Sequence, residues 1–305
     1  MKFLYILESA RTPFWNSFFQ TVTHCGGEYV FLVLAIVIFW CLSKKCGYYM
    51  LTVGFVGITI NQFLKILCRI PRPWVRDPNF TIVESARADA GGYSFPSGHT
   101  QNLFAVFGAP ARYTKSLTIR IIAIILICLT AFSRMYLGCH TPADVGVSII
   151  IGLILVFALY PIFENMDKNP KAVYMTLIVF CALTIAFVIY LEATVFPADI
   201  DADNLAEAFK YGYMMAFCSF ALLISYHVDR KYTKFDTEAV WWAQILKVLL
   251  GLIVVMGIKI LLKAPLITLL NGHSSADGIR YGLMVLFAGC IWPMTFKWFS
   301  KLGKN

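Results

Sequence analysis

Three short clusters hold residues whose types and spacing suit the handling of an anion. Lys65 and Arg72-Pro73 lie in KILCRIPRP, Pro96-Ser97-Gly98-His99 comes next, and Ser133, Arg134, His140 and Asp144 lie in SRMYLGCHTPAD. Arginine presents a planar fork that matches phosphate oxygens, and lysine adds a compact positive charge. Ser97 suits a helix N-cap, and Gly98 lets backbone approach a ligand closely. Free N–H groups at such a helix start attract anions. His140 and Asp144 are four apart, so a continuous helix would place them on one face. A carboxylate that takes one ring N–H fixes the histidine tautomer and frees the other nitrogen to attack. Thr141-Pro142-Ala143-Asp144 also reads as a helix start, with Thr141 as cap and Asp144 as capping carboxylate. The spacing allows either role for Asp144, or both.

Groups of this kind must be carried on elements, and composition says which. Of 305 residues, 59% are hydrophobic and 14% charged, where soluble proteins average about 25% charged. The bilayer is the expected solvent and the expected fold an all-α integral membrane protein. Spanning helices need about 20 apolar residues. Nine segments qualify or nearly so: 28–43, 48–67, 100–113, 117–137, 143–163, 173–191, 211–228, 241–262 and 281–299. The first and third are short. Residues 12–24 form another element, with Phe14, Trp15, Phe18, Phe19 and Val22 at helical spacing and Thr12-Pro13 as cap and first position. It reads as an amphipathic helix lying in the membrane interface, or as an extension of the first span. The start, MKFLYILESA, lacks the long apolar core and cleavage site of a signal peptide, so targeting is expected from the spans.

Lysine and arginine placement sets the expected orientation. With nine spans, 13 basic residues fall on one side, including Lys44, Lys45, Lys168, Arg230, Lys234 and Lys304. Eleven fall on the other, and six of these (Lys65, Arg69, Arg72, Arg76, Arg87 and Arg134) lie in the segments with chemistry. Setting those aside leaves 13 against 5. The first side is expected in the cytoplasm, and the three clusters outside. The net charge of +9 thus belongs to membrane topology, and no nucleic-acid partner is expected. The organisation expected is an interfacial segment 1–27, a six-span core 28–191, an acidic outer loop 192–210 and a three-span extension 211–305.

The clusters resemble the signature of the type 2 phosphatidic acid phosphatase superfamily, in its membrane lipid phosphatase branch. That signature is Lys, six residues, Arg-Pro; then Pro-Ser-Gly-His; then Ser-Arg, five residues, His, three residues, Asp. Lys65, Arg72-Pro73, Pro96 to His99, Ser133-Arg134, His140 and Asp144 fit every position. The resemblance covers 65–144 directly and, by span count, about 28–191. It implies a hydrolase of phospholipid metabolism acting on a lipid phosphate or diphosphate such as undecaprenyl diphosphate or a glycerophospholipid phosphate. His140 would become a phosphohistidine with Asp144 supporting it, and His99 would protonate the leaving oxygen. Lys65, Arg72, Ser97, Gly98 and Arg134 would hold phosphate. No metal or other cofactor is implied. If the source is bacterial, the plasma membrane is the expected site.

Two other readings stay open. A lipid-linked phosphotransferase would use the same intermediate, and a lipid transporter could carry an inactive core beside the extra spans. Asn61 and Gln62, one turn before Lys65, are expected to hydrogen-bond within the bundle. His24, His227 and His273 read as loop or interfacial residues, and Asp199, Asp201 and Asp203 as a solvated acidic loop. None of the nine cysteines forms a CxxC pair, so no disulfide framework or zinc site is read. Cys139, beside His140, reads as a small buried residue.

Overall fold

In a computed structural model, residues 1–303 are described; Lys304 and the last residue of the extension lie outside them. The chain is helical, with no strand among the described residues. Among the described residues, seven helical segments are long and apolar enough to cross a membrane: Lys44–Arg76, Leu117–Tyr136, Pro142–Glu164, Pro170–Ala193, Ala202–Thr233, Trp241–Leu269 and Ser275–Phe299. Backbone groups in lipid must be satisfied within the segment, which is why these apolar stretches are helices. Ile121, Ile122, Ile124 and Ile125 are exposed on Leu117–Tyr136, as a lipid-facing surface requires. The protein is a multi-pass integral membrane protein.

Where nine spans are expected, seven segments have full spanning length among the described residues. The segment expected at 28–43 is a ten-residue α-helix, Glu28–Val37, closed by the π turn Ile38–Leu42. It counts as an eighth span only with Pro13–Gly26, to which it is bent by 46°. The segment expected at 100–113 is broken into Gly98–Leu103, the π turn Phe104–Gly108 and Ala109–Tyr113. Both segments stay helical through their π turns, and what sets them apart is length: each is shorter than the roughly 17–25 residues of an ordinary span. The 98–113 segment still returns the chain from the cluster containing His99 to the far end of Leu117–Tyr136, about 30 Å along that helix axis. The last span begins earlier than its apolar run suggests, at Ser275 rather than 281. Two short helices, Lys2–Ser9 and Lys263–Leu269, have no counterpart among the expected elements.

The chain divides into two compact units. The first comprises 1–32, 49–161 and 196–208 and contains every residue of the three clusters. Its N-terminal helix Pro13–Thr23 is capped by Thr12, whose hydroxyl accepts from the Trp15 N–H at 3.3 Å. That helix buries Phe19 and Thr23 and exposes Phe14, Trp15 and Phe18. The Phe19 ring lies 4.4 Å from that of Tyr136, in a core with Ile82, Ala86, Ala90, Leu137 and Cys139. This core anchors the loop 77–94 beside the end of Leu117–Tyr136.

The second unit comprises 33–48, 162–195 and 209–305. Trp40 is fully buried there, with its indole N–H on the Ala288 carbonyl at 2.9 Å. Thr184 and Ser219 share a hydrogen bond of 2.9 Å between Pro170–Ala193 and Ala202–Val228. The expected extension from 211 onward falls in the second unit, which also takes 33–48 and 162–191 from the expected core segment 28–191.

Candidate active site

The first unit gathers the clusters at one place. Helix Lys44–Cys68 brings Lys65 in its last turn, and the extended residue before Pro73–Arg76 brings Arg72. Leu117–Tyr136 brings Arg134. All three cations are buried. Among the described residues none has a carboxylate within ion-pair distance. Their N–H groups go to carbonyls instead. Arg72 Nε donates to Gly92 O at 2.9 Å, Nη1 to Cys139 O at 3.1 Å, and Nη2 to Gly91 O. Lys65 Nζ donates to Gly91 O at 3.4 Å. Arg134 donates to the Thr23 hydroxyl at 2.8 Å and Asp89 O at 3.3 Å, while its Nε–H has no partner. Like charges held this close in a dry site are costly unless an anion joins them.

His140 comes directly after the turn that ends Leu117–Tyr136. The N–H groups of Cys139 and His140 both donate to Arg134 O, at 2.9 and 3.2 Å, and Gly138 supplies the left-handed φ of 85° that the reversal needs. The turn thus fixes the imidazole and Arg134 relative to each other. Arg72 Nη1 lies 2.9 Å from His140 Nε2. A guanidinium can only donate, and the same Nη1 lies 3.5 Å from Nδ1, so the shorter contact assigns the acceptor role to Nε2 and the hydrogen to Nδ1, the nitrogen that faces Asp144. Nδ1 faces Asp144 Oδ2 at 3.6 Å, beyond hydrogen-bond length, so the carboxylate acts there through its charge. Burial holds the His140 imidazole well below the usual histidine range, and the Arg72 charge adds to this, while Asp144 opposes it. The ring is neutral at neutral pH, with a lone pair on Nε2.

Asp144 performs the capping role as well. Its Oδ2 accepts from the Thr141 N–H at 2.7 Å, and its own N–H donates to the Thr141 hydroxyl at 3.3 Å. This reciprocal pair is a capping box at the start of Pro142–Glu164. The Ser94 hydroxyl also donates to Oδ2 at 2.6 Å. The short bonds are therefore those of the cap and Ser94, and the histidine contact is the longer one.

Ser97 caps Gly98–Leu103 as its type suggests, accepting from the Thr100 N–H at 3.4 Å. Its own N–H reaches Asp144 O at 3.1 Å, which ties the second cluster to the third. A Cβ added to Gly98 would meet only Asn61 Oδ1, at 3.7 Å, so the space beside this glycine is open. His99 is half-buried and stands in the electrostatic field of Arg134, His140, Arg72 and Lys65. The expectation for Asn61 is not met: its amide is buried and unpartnered, as is that of Gln101. Cys139 is fully buried. His227 and His273 stay apart from the cluster, bonded to Tyr174 and Ser275.

Sequence reading misses Thr23, Ser94 and Glu207. By sequence Glu207 is one more member of the acidic loop. Its Oε2 lies where Cβ atoms on Gly91 and Gly92 would come within 2.7 and 3.0 Å of it, and Lys65 Nζ lies 3.2 Å from the same point on Gly92. Glu207 is thus a carboxylate at the edge of the cation cluster, felt by Lys65 and Arg72.

Comparison with known proteins bears on this geometry. The PAP2 superfamily model matches residues 45–168, and the model described as PAP2 superfamily phosphatase, transmembrane extension, matches 213–305. Phosphatidylglycerophosphatase B of Bacillus subtilis is 31% identical over 174 residues, covering 53% of this chain and 79% of that protein. The chain belongs to the PAP2 superfamily. Undecaprenyl-diphosphatase BcrC of Bacillus subtilis is 33% identical over 133 residues, 43% of this chain and 66% of that protein. A probable sphingosine-1-phosphate phosphatase of Dictyostelium discoideum is 27% identical over 165 residues, 50% of this chain and 39% of that protein. The chain thus covers less than two thirds of the length of these last two relatives. No solved structure matches it. The PAP2 match contains every residue of the three clusters, from Lys65 to Asp144. The extension match lies wholly in the part of the chain to which the sequence motifs assign no chemistry.

Proposed function

We propose that this PAP2 protein hydrolyses a lipid phosphate or lipid diphosphate through a phosphohistidine on His140, at the extracytoplasmic face of the membrane. The observation that carries the reading is the environment of one atom. His140 Nε2 bears its lone pair among three buried cations that have no carboxylate partner, with the Asp144 charge behind the ring.

In this reading the substrate phosphate displaces carbonyls from the cations. Arg72 turns the N–H now given to Nε2 toward a phosphate oxygen, and Lys65 and the free Nε–H of Arg134 take others. Ser97 and Gly98 add polar contacts at the helix start. Nε2 attacks the terminal phosphorus, its P–O bond to the leaving lipid hydroxyl (or, in a diphosphate, to the leaving lipid phosphate) breaks, and His99 gives a proton to the leaving oxygen. Asp144 stabilises the ring as it becomes positive. His99 then takes a proton from water, whose oxygen attacks phosphorus, and the P–N bond breaks with its electron pair returning to Nε2. Positioning and fixed charge supply most of the catalysis in such transfers.

The names of the relatives favour undecaprenyl diphosphate or a glycerophospholipid phosphate as substrate. The test is a phosphate-release panel over these lipids with purified protein in detergent, comparing wild type with His140→Ala. Release by wild type and none by a folded His140→Ala protein is expected. Equal release by both would rule the mechanism out.

A further inference from the structure

The second unit contains a cavity of about 320 Å³ that the chemistry at His140 does not use. Lys44, Asp167, Tyr226, Asp229, Arg230 and Lys234 line it. Its carboxylates are already matched. Lys44 Nζ lies 3.2 Å from Asp229, and Lys45 Nζ lies 2.5 Å from Asp167. Lys44 is held further by the Phe235 carbonyl at 3.0 Å. Arg230 and Lys234 have no carboxylate partner among the described residues. The π turn Asp229–Thr233 and the left-handed Lys234, with φ 42°, bring these two cations to the same cavity. Tyr226 is fully buried between the rings of Tyr48 and Tyr174, and its hydroxyl has no hydrogen-bond partner among the described residues.

A guanidinium, an ammonium and an unspent hydroxyl are all able to donate. Such a set suits one anion with several acceptor oxygens. We propose that this cavity binds a phosphate group, carried by an anionic phospholipid headgroup or free as inorganic phosphate. The volume sits at the small end of ligand pockets, with room for a headgroup. The loops that supply Lys44, Lys45, Arg230 and Lys234 are those that the basic-residue count assigns to the cytoplasm. Basic pockets among helices on that side are where anionic headgroups concentrate. The inference stands independently of the reaction proposed for His140.

Full-length protein, purified in detergent, is titrated with phosphatidylglycerol or with inorganic phosphate, and native mass spectrometry counts the ligands that stay bound. The comparison is between wild type, Arg230→Gln/Lys234→Gln and Tyr226→Phe. The expected result is that both variants hold one fewer phosphate-bearing ligand than wild type and release phosphate from substrate lipid at the wild-type rate. Loss in the lipid titration alone identifies a headgroup, and loss in both identifies the phosphate group itself. Tyr226→Phe leaves the surface charge untouched, so general attraction of lipid to a basic surface would spare it. It also stands in if the double variant fails to fold. Unchanged occupancy in Tyr226→Phe, or wild-type protein that binds no ligand beyond those lost on mutating Arg134, would overturn the proposal.

Discussion

At the scale of single residues, the site turns on how one carboxylate serves two neighbours. Asp144 caps its helix at short distance and faces His140 at longer distance. Two substitutions separate the roles. Asp144→Asn keeps an oxygen for Thr141 and Ser94 but removes the charge behind the imidazole. It should unfold near the wild-type temperature and lose at least about 100-fold in kcat, as other triad-like carboxylates do. Asp144→Ala should lose both, with a further stability cost of about 1–2 kcal/mol for the cap. Paired thermal unfolding and turnover measurements decide; an active Asp144→Asn would show the carboxylate to be only a cap. The same geometry fixes a pH dependence. His140 is held below its usual range, so its neutral, nucleophilic form persists down through the ordinary histidine value of 6.5. The acid limb of kcat/KM attributable to this ring should therefore have its midpoint below pH 6.5, and an acid limb with its midpoint above that value would contradict it. Glu207 gives a third case. Its charge competes with phosphate for Lys65 and Arg72, so Glu207→Gln should lower KM roughly fivefold, equivalent to about 1 kcal/mol for a partly exposed charge. A raised KM in steady-state assays would count against competition.

At the scale of elements, close packing sets where the cluster can form. Gly152 lies on Pro142–Glu164, whose first turn carries Asp144, and a Cβ there would sit 2.2 Å from the Phe104 ring. Gly152→Ala must push this helix away from the π turn Phe104–Gly108. It should cost about 1–3 kcal/mol in thermal unfolding, the usual toll of overpacking, and reduce turnover with it. The elements also show how far sequence reaches. The three clusters are legible because their side-chain types suit an anion and their spacings match a known family signature. The apolar spans are legible because lipid demands length. The partners of the cations are not, since Gly91, Gly92, Asp89 and Cys139 contribute carbonyls, which every residue possesses. Thr23 and Glu207 lie far from their partners in sequence, and nothing in their own neighbourhoods marks them. The π turns at Ile38–Leu42 and Phe104–Gly108 leave no compositional trace, and they lie inside the two helical segments that are shorter than an ordinary span.

At the scale of the whole molecule, orientation is the claim that charge placement makes and that the membrane must answer. The site is expected outside and the loops around Lys44, Lys168 and Lys234 inside. Single cysteines placed at Arg87 and at Lys168 in a cysteine-free background test this. A membrane-impermeant maleimide should label position 87 in intact cells and position 168 only after permeabilisation. The reverse pattern would put the chemistry on the cytoplasmic side. The transmembrane extension at 213–305 adds helices beyond those that carry the cation and histidine cluster. The cavity around Arg230 and Lys234 lies partly in that region, giving the extension a candidate task in holding lipid.

The proposed hydrolysis requires a covalent bond between phosphorus and His140 Nε2. Rapid acid-free quenching of the protein with lipid phosphate labelled at phosphorus, and then peptide mass spectrometry, observes that bond. The mechanism predicts an acid-labile, base-stable phosphate on the peptide containing His140, and its accumulation in His99→Ala, where hydrolysis of the intermediate is slowed. Turnover with label on another residue, or on none in both proteins, would contradict it.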